Sequence, residues 1–336
     1  MRAYAGERQA QLPIWMMRQA GRSLPEYRKV REGIAMLDSC LMPDLAAEIT
    51  VQPVRRHKVD AGIFFSDIVV PLKLAGVEVT IEPGIGPVIA EPVQTRAALE
   101  RLEELDPVAL APIARAVELT VSELGSTPLI GFGGAPFTLA SYLIEGGPST
   151  SLPTCRAMMI GDPKLFEDIL AYCARVTAAF IRAQVLAGAS ALQLFDSWAG
   201  RLGLADYQRF AAPASASVFE DLQDLPVAKV HFGVHTGPLL MAMHQTGATV
   251  MGVDYETSLV EANRILGGSV PLQGNIDPSL LDGPWESLAA HATAVMNEGR
   301  VAPGHVVNLG HGVPPNTNPD TLTRLVAHVH EHRFED

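Results

Sequence analysis

Eight short, continuously apolar runs punctuate the chain, most of them separated by longer stretches with helical spacing. They are Ile14–Met17, Gly62–Phe65, Leu129–Phe132, Ala191–Phe195, Ala228–Phe232, Val250–Val253, Val270–Leu272 and Val306–Leu309. Runs that are apolar throughout, rather than alternating, suit strands buried on both faces. Pro43-Asp44, Asp106-Pro107, Asp162-Pro163, Pro284 and Pro319 mark helix starts, and Gly125, Gly188 and Gly299 mark stops. Aspartate ahead of a first-turn proline, and glycine past the last turn, satisfy the unpaired groups at helix ends. Parallel strands need crossover helices, so strand then helix eight times over predicts an α/β fold: a single-domain (β/α)8 TIM barrel over residues 1–336. Two departures are expected. Val77–Val93, turning at Pro83-Gly84-Ile85-Gly86-Pro87, reads as a β-hairpin inserted after the second strand, and Ala135 to Asp162 as loop with short helices.

Composition limits the alternatives. The 336 residues carry 25 Lys+Arg against 37 Asp+Glu, a net charge of −12, and 48% are hydrophobic. That supports a large core and opposes a uniform nucleic-acid footprint, because the acidic balance repels phosphate. No uninterrupted apolar run reaches about 18 residues, so no membrane span is expected. Met1–Gln11, with Arg2, Glu7 and Arg8, reads as a flexible polar N-terminus over 1–11 and not as a signal peptide. Cys40, Cys155 and Cys173 are odd in number and form no CxxC. Neither a disulfide framework nor a cysteine zinc site is expected, and a reducing cytoplasm fits.

In barrel enzymes the reacting residues sit where strands end. Arg18-Gln19-Ala20-Gly21-Arg22 follows the first run, Ser66-Asp67 the second and Gly133-Gly134-Ala135-Pro136 the third. Asp196-Ser197, then Gly233 and His235, Asp254-Tyr255, Gly274-Asn275 and Gly310-His311-Gly312 follow the others. Arg18 and Arg22 offer bidentate forks for a carboxylate or phosphate; the alternative is that they pair with a rim acid such as Glu26. Asp67, between two apolar runs, must be satisfied by backbone donors or serve a ligand. His311, between two glycines, reads as a working histidine, and His328, His330 and His332 as a solvated helix end. No phosphate loop, GxSxG elbow or HExxH occurs, and Ser197 has no evident partners for a hydrolase triad.

Two longer stretches add a resemblance. PIWMMRQAGRSLPEY, from Pro13 to Tyr27, and GFGGAPFTLASYLIEG, from Gly131 to Gly146, look like signatures of the uroporphyrinogen decarboxylase family. The similarity runs on through Leu45–Val70, Gln193–Gly200, Gln273–Asp277 and Asn308–Val313, covering about Pro13 to Asp320. It implies a homodimer of single-domain barrels without cofactor or metal, cytoplasmic, with no nucleic-acid or membrane partner. The implied reaction decarboxylates the four acetate side chains of uroporphyrinogen III to methyl groups, giving coproporphyrinogen III for haem synthesis. By the same resemblance Arg18, Gln19, Ala20, Gly21 and Arg22 form the loop that grips substrate carboxylates. Asp67 lies beneath the centre of the macrocycle and acts with Arg18 in catalysis, and Tyr142, Ser197 and His311 contact the propionate and acetate arms. Ser23 and Tyr255 depart from the family, which often has an aromatic at the first and Trp at the second. The proton donor stays open between Arg18, His311 and a water. Two rivals remain: a zinc-dependent methyltransferase of a related barrel class, and a porphyrinogen-binding protein without catalysis.

Overall fold

The computed structural model describes residues 1–334. Its main sheet is parallel and seven-stranded, running β1 (Gly62–Ile63), β4 (Leu129–Gly134), β5 (Ala191–Asp196), β6 (Ala228–Gly233), β7 (Val250–Gly252), β8 (Leu272–Gln273) and β9 (His305–Val306). All six residues of β4 are buried, as a strand covered on both faces requires. The other two strands, β2 (Val79–Glu82) and β3 (Gly86–Ile89), pair antiparallel as a separate hairpin with Val79 opposite Ile89. Each neighbouring pair in the main sheet is parallel and in chain order, so each crossover carries its helix on the outside.

The sheet curls until its two ends meet the first apolar run. Ile14 bridges Val307 beside β9, and its carbonyl accepts the Asp60 N–H (2.8 Å) beside β1. This run is not the strand expected from its composition. Pro13 has no N–H to give, and the Ile14 N–H bonds the Asp60 Oδ2 (2.8 Å) in place of a neighbouring carbonyl. His330 Nε2 donates to the same oxygen (2.8 Å), and His328 Nε2 meets Thr293 Oγ1 (2.9 Å). Two of the C-terminal histidines expected in solvent, His328 and His330, therefore tie the last helix to the body through partly buried hydroxyl and carboxylate groups.

Eight helices carry most of the outer layer: α1 (Pro25–Val30), α2 (Pro43–His57), α3 (Ala111–Leu124), α4 (Pro136–Glu145), α5 (Pro163–Leu186), α6 (Ala212–Asp221), α7 (Trp285–Glu298) and α8 (Pro319–Glu331). Asp162 caps α5 by accepting the Leu165 N–H (3.0 Å). Asp106 takes the Val108 N–H (2.8 Å), but the turn it opens, Pro107–Leu110, is a 3-10 helix leading into α3. α5, at 24 residues, is long and apolar enough by length and composition to cross a membrane, which no uninterrupted run in the sequence suggested. Its apolar faces pack against β4, α4 and α6, as a core helix's do.

The N-terminus also differs from expectation. Arg2–Ala5 form a 3-10 helix whose Ala3 and Tyr4 are buried. The Tyr4 hydroxyl donates to Gln273 Oε1 and accepts from Trp15 Nε1 (3.1 Å), and Gln273 Nε2 reaches Gln193 Oε1 (2.9 Å). Glutamines buried in the parallel sheet need such a partner, so this part of 1–11 is packed rather than loose.

Asp60 is the residue on which this seating can be tested. Asp60→Ala leaves the Ile14 N–H, which is fully buried, without an acceptor. We expect a loss of about 1–3 kcal/mol in urea unfolding. His330→Ala, which removes only a partly exposed donor, should cost less.

Candidate functional site

The loop from Met17 to Arg22 is clamped from three sides. The Met17 N–H donates to Asn308 Oδ1 (3.0 Å), and the Met17 carbonyl accepts from the Val313 N–H (2.8 Å). Gln19 is fully buried; its Oε1 accepts the Met16 N–H (3.0 Å) and its Nε2 donates to the Ala61 carbonyl (3.0 Å). The Gln19 side chain thus serves the backbone rather than lining a ligand surface. Ala20 and Gly21 are half-buried beside it.

The clamp leaves Arg18 and Arg22 projecting. Arg18 holds a left-handed backbone (φ 60°), a conformation costing a non-glycine residue on the order of 1–3 kcal/mol. Its stem crosses Gly312, where a Cβ would come within 2.8 Å of Arg18 Cγ. Both arginines are exposed. The alternative partner, Glu26, accepts from Arg56 Nε and Nη2 (2.7 and 2.9 Å), and among the described residues neither Arg18 nor Arg22 forms an ion pair.

Asp67 follows β1 and opens a short helix, Val70–Leu74. Its Oδ1 accepts the Val69 N–H (3.0 Å), and its other oxygen bonds no described protein group. The side chain keeps a little accessible surface while protein atoms crowd it on the remaining sides. That burial raises its pKa above the usual carboxylate range, opposed by the Val69 N–H and by the Arg18 charge. The backbone-donor reading therefore holds for one oxygen, and the other is left without a hydrogen-bond partner among the described residues.

Arg18 is the common neighbour of the other groups. Its charge acts on Asp67, on the Tyr142 hydroxyl and on His311. Tyr142, on α4, is buried, and burial raises its pKa; the Trp198 indole N–H opposes that rise and Asp67 adds to it. His311 has its pKa lowered by burial first, then by Arg18 and His235. Its Nδ1 accepts the Gly312 N–H (2.7 Å), so the neutral ring carries its proton on Nε2. Ser197, just past β5, is exposed and connects to the group through Trp198, whose ring meets Tyr142 edge-on (6.0 Å, 73°). Arg18, Asp67, Tyr142 and His311 are thus brought together, Ser197 stands beside them, and Gln19 is turned away.

Several features escaped the sequence. Thr138, Trp198 and Glu256 gave no signal, being one hydroxyl inside a helix and two residues just beyond strand ends. His235, Asp254 and Glu256 place three possible metal-ligand atoms within 4.8 Å of one another. Both Asp254 oxygens are taken by main-chain N–H groups, of His235 and Glu256, and the His235 ring bonds Glu256 (2.8 Å), so the trio is satisfied from within. Cys40, Cys155 and Cys173 are all buried, and burial pushes each thiol up, away from the thiolate that zinc needs. A cavity of about 340 Å³ lies at the other end of the strands, between Met1, Arg2, Leu129 and Ser190.

A parallel α/β sheet with its polar residues gathered at the C-terminal ends of the strands is the layout of an α/β enzyme. The uroporphyrinogen decarboxylase family model matches residues 1–332. The chain belongs to the uroporphyrinogen decarboxylase family. A uroporphyrinogen decarboxylase of Arthrobacter sp. (strain FB24) is 60% identical over 328 residues, 98% of this chain and 95% of that one. Another, of Leifsonia xyli subsp. xyli (strain CTCB07), is 57% identical over 98% of this chain and 93% of its own length. Among solved structures, a methyltransferase from Methanosarcina mazei superposes with a TM-score of 0.78 at 19% identity, covering 97% of this chain and 96% of that one. Identity that low speaks to the fold alone.

The direction of the Asp67 shift has a measurable consequence. A folded-state pKa above the unfolded value means that the ionised carboxyl costs stability at neutral pH, and that the cost vanishes below the unfolded value near pH 4. Asp67→Asn keeps an acceptor for Val69 without the charge. We expect its melting temperature to match or exceed that of the parent at pH 7, with the gap closing as the pH falls toward 4. A variant clearly less stable at pH 7 would show that the carboxyl's role is to hold the strand end.

Proposed function

We propose that this chain removes carbon dioxide from the four acetate side chains of uroporphyrinogen III, leaving methyl groups and yielding coproporphyrinogen III in porphyrin and haem synthesis. Family membership supports the reaction class, a carboxy-lyase, and a uroporphyrinogen as substrate. The observation that carries the reading in the site is one half-buried carboxyl, Asp67, within reach of the charge of Arg18, an exposed arginine that forms no ion pair among the described residues. In this reading the Ile14 segment is the eighth stave of a (β/α)8 barrel, residues 1–336 are one domain, and the enzyme is a cytoplasmic homodimer.

The chemistry needs an electron sink for the pair left when the C–CO2 bond breaks. A pyrrole protonated on the ring carbon next to the acetate-bearing carbon supplies one, since the resulting cation accepts the pair and becomes an exocyclic methylene. A proton then adds to that methylene and the ring carbon loses its own, so the net change is one proton in and one carbon dioxide out. The free oxygen of Asp67 faces the pyrrole N–H groups and stabilises the cation, which exists only on the way to product; stabilisation of that kind raises the rate. Arg18 and Arg22 bind the carboxylate arms, and neutral His311 donates from Nε2. Tyr142 and Ser197 hydrogen-bond the remaining arms. A guanidinium is a poor general acid, so His311 or a water is the better proton source.

No observation favours the zinc-dependent methyltransferase, whose metal would need thiolates that these buried cysteines do not offer. Turnover separates the enzyme from a porphyrinogen carrier: anaerobic incubation with reduced uroporphyrinogen should release coproporphyrinogen, and continue to do so after dialysis against a chelator. Arg18→Ala and Arg22→Ala should each weaken substrate binding by about 1.5–3 kcal/mol. Gly312→Ala, which displaces the Arg18 stem, should mimic Arg18→Ala in KM while the protein remains folded. Asp67→Asn should bind nearly normally and lose roughly 100- to 1000-fold in single-turnover rate. A full rate in that variant would remove Asp67 from the mechanism.

A further inference from the structure

Successive residues of a strand point to opposite faces, and β5 ends on such a pair. Ser197, beyond the last residue, is exposed at the site, whereas Asp196 is fully buried among the outer helices. Asp196 Oδ1 accepts the hydroxyl proton of Thr138 (2.8 Å), and the same hydroxyl oxygen accepts the Trp198 N–H (3.2 Å). Thr138 lies four residues before Tyr142 on α4, one turn away on the same face. The Tyr142 ring meets the Trp198 ring edge-on at 6.0 Å, and Trp198 is covalently next to Ser197. The contacts therefore close a ring: Asp196 to Thr138, along α4 to Tyr142, across to Trp198, and back through Ser197 to Asp196.

The Thr138 hydroxyl, its donor and one acceptor site both used, joins the strand end to the body of the helix, and the Ala135 N–H donates to the Phe195 carbonyl (2.8 Å) at the helix start. Asp196 lies behind it with its second oxygen free of hydrogen bonds among the described residues. Its Oδ2 faces His231 Nε2 on β6 across 3.8 Å, with both side chains fully buried, and its charge reaches the Tyr207 hydroxyl as well. Thr138 itself is fully buried and touches no surface from which a ligand could be reached.

We infer that Thr138 is a positioning residue, backed by Asp196, that sets Tyr142 and Ser197 at a fixed spacing so that two arms of one substrate are met together. The inference rests on the reading of Tyr142 and Ser197 as arm contacts. A carboxylate-bearing arm is long and flexible, so a hydroxyl displaced by about 1 Å forfeits much of its contact, and displacements of that order cost up to about 100-fold in kcat/KM.

The test compares Thr138→Val, which keeps the branched shape and loses both hydrogen bonds, with Thr138→Ser, which keeps the hydroxyl. Thr138→Val should raise KM for uroporphyrinogen roughly tenfold with kcat per folded molecule nearly kept, and Thr138→Ser should restore KM to within about twofold. If the valine variant does not fold, Thr138→Ala removes the same hydroxyl without adding bulk and is read in the same way. Combined with Tyr142→Phe and Ser197→Ala, the valine change should add little further loss, because its effect runs through those two side chains. A lowered melting temperature with unchanged KM, or full additivity in the triple variant, overturns the inference alone. Unchanged KM in Tyr142→Phe and Ser197→Ala by themselves overturns it together with the reading beneath it.

Discussion

Buried backbone groups must be paired, and at the seam of this sheet side chains do the pairing. The segment before Arg18 has β9 on one side but lacks a full ladder on the other. Asp60 supplies the missing acceptor to Ile14, and Asn308 accepts from both Met17 (3.0 Å) and Leu309 (2.8 Å). Asn308 thereby locks the loop carrying Arg18 to the strand end carrying His311. Gln19 closes the arrangement from beneath by bonding Met16 and Ala61. Without these three polar side chains the strained backbone of Arg18 would relax, and the guanidinium would leave its place over Gly312.

The electrostatics of the site run against those of the chain. A protein of net charge −12 repels a polyanion at a distance, so attraction has to be local. In the proposed reading Arg18 and Arg22 provide it: Glu26 pairs with Arg56, and neither Arg18 nor Arg22 forms an ion pair among the described residues. Asp67 is the counterpart. Burial makes its charge costly, and Arg18 and the Val69 N–H recover part of that cost. A carboxylate held in this way has little to gain from solvent and much from a cation that develops beside it, which suits a reaction passing through a protonated pyrrole. His311 completes the balance, its neutral ring favoured by burial first and then by the Arg18 charge.

Much of this was legible in one sequence because the signals are local and periodic. Continuous apolar runs marked six of the seven sheet strands within a residue or two, and the Asp-Pro pairs marked the helix at Asp162 and the turn at Asp106. Arg18, Asp67, His311 and Ser197 could be named because they directly follow such runs. Tyr142 came only through family likeness, since nothing in the composition of α4 sets it apart. Glutamine at position 19 illustrates the limit: its neighbours in sequence project outward, yet its own amide is consumed by backbone groups, one of them in a segment more than forty residues away.

The sequence by itself determined the alternation of buried strands and outer helices, and which residues stand at the strand ends, because both follow from the period of apolar residues along the chain. It also determined the family, through two long stretches of matching residues. The tertiary structure decided which of those residues are free. Whether an arginine is available depends on where Arg56 lies relative to Glu26, thirty positions earlier, and whether Asp67 is costly to ionise depends on what packs around it. Tyr4 filling the space beside Gln273, and His330 reaching Asp60, were decided in the same way. Pairing and burial arise between segments distant in sequence, and no local pattern encodes a partner that only folding brings near.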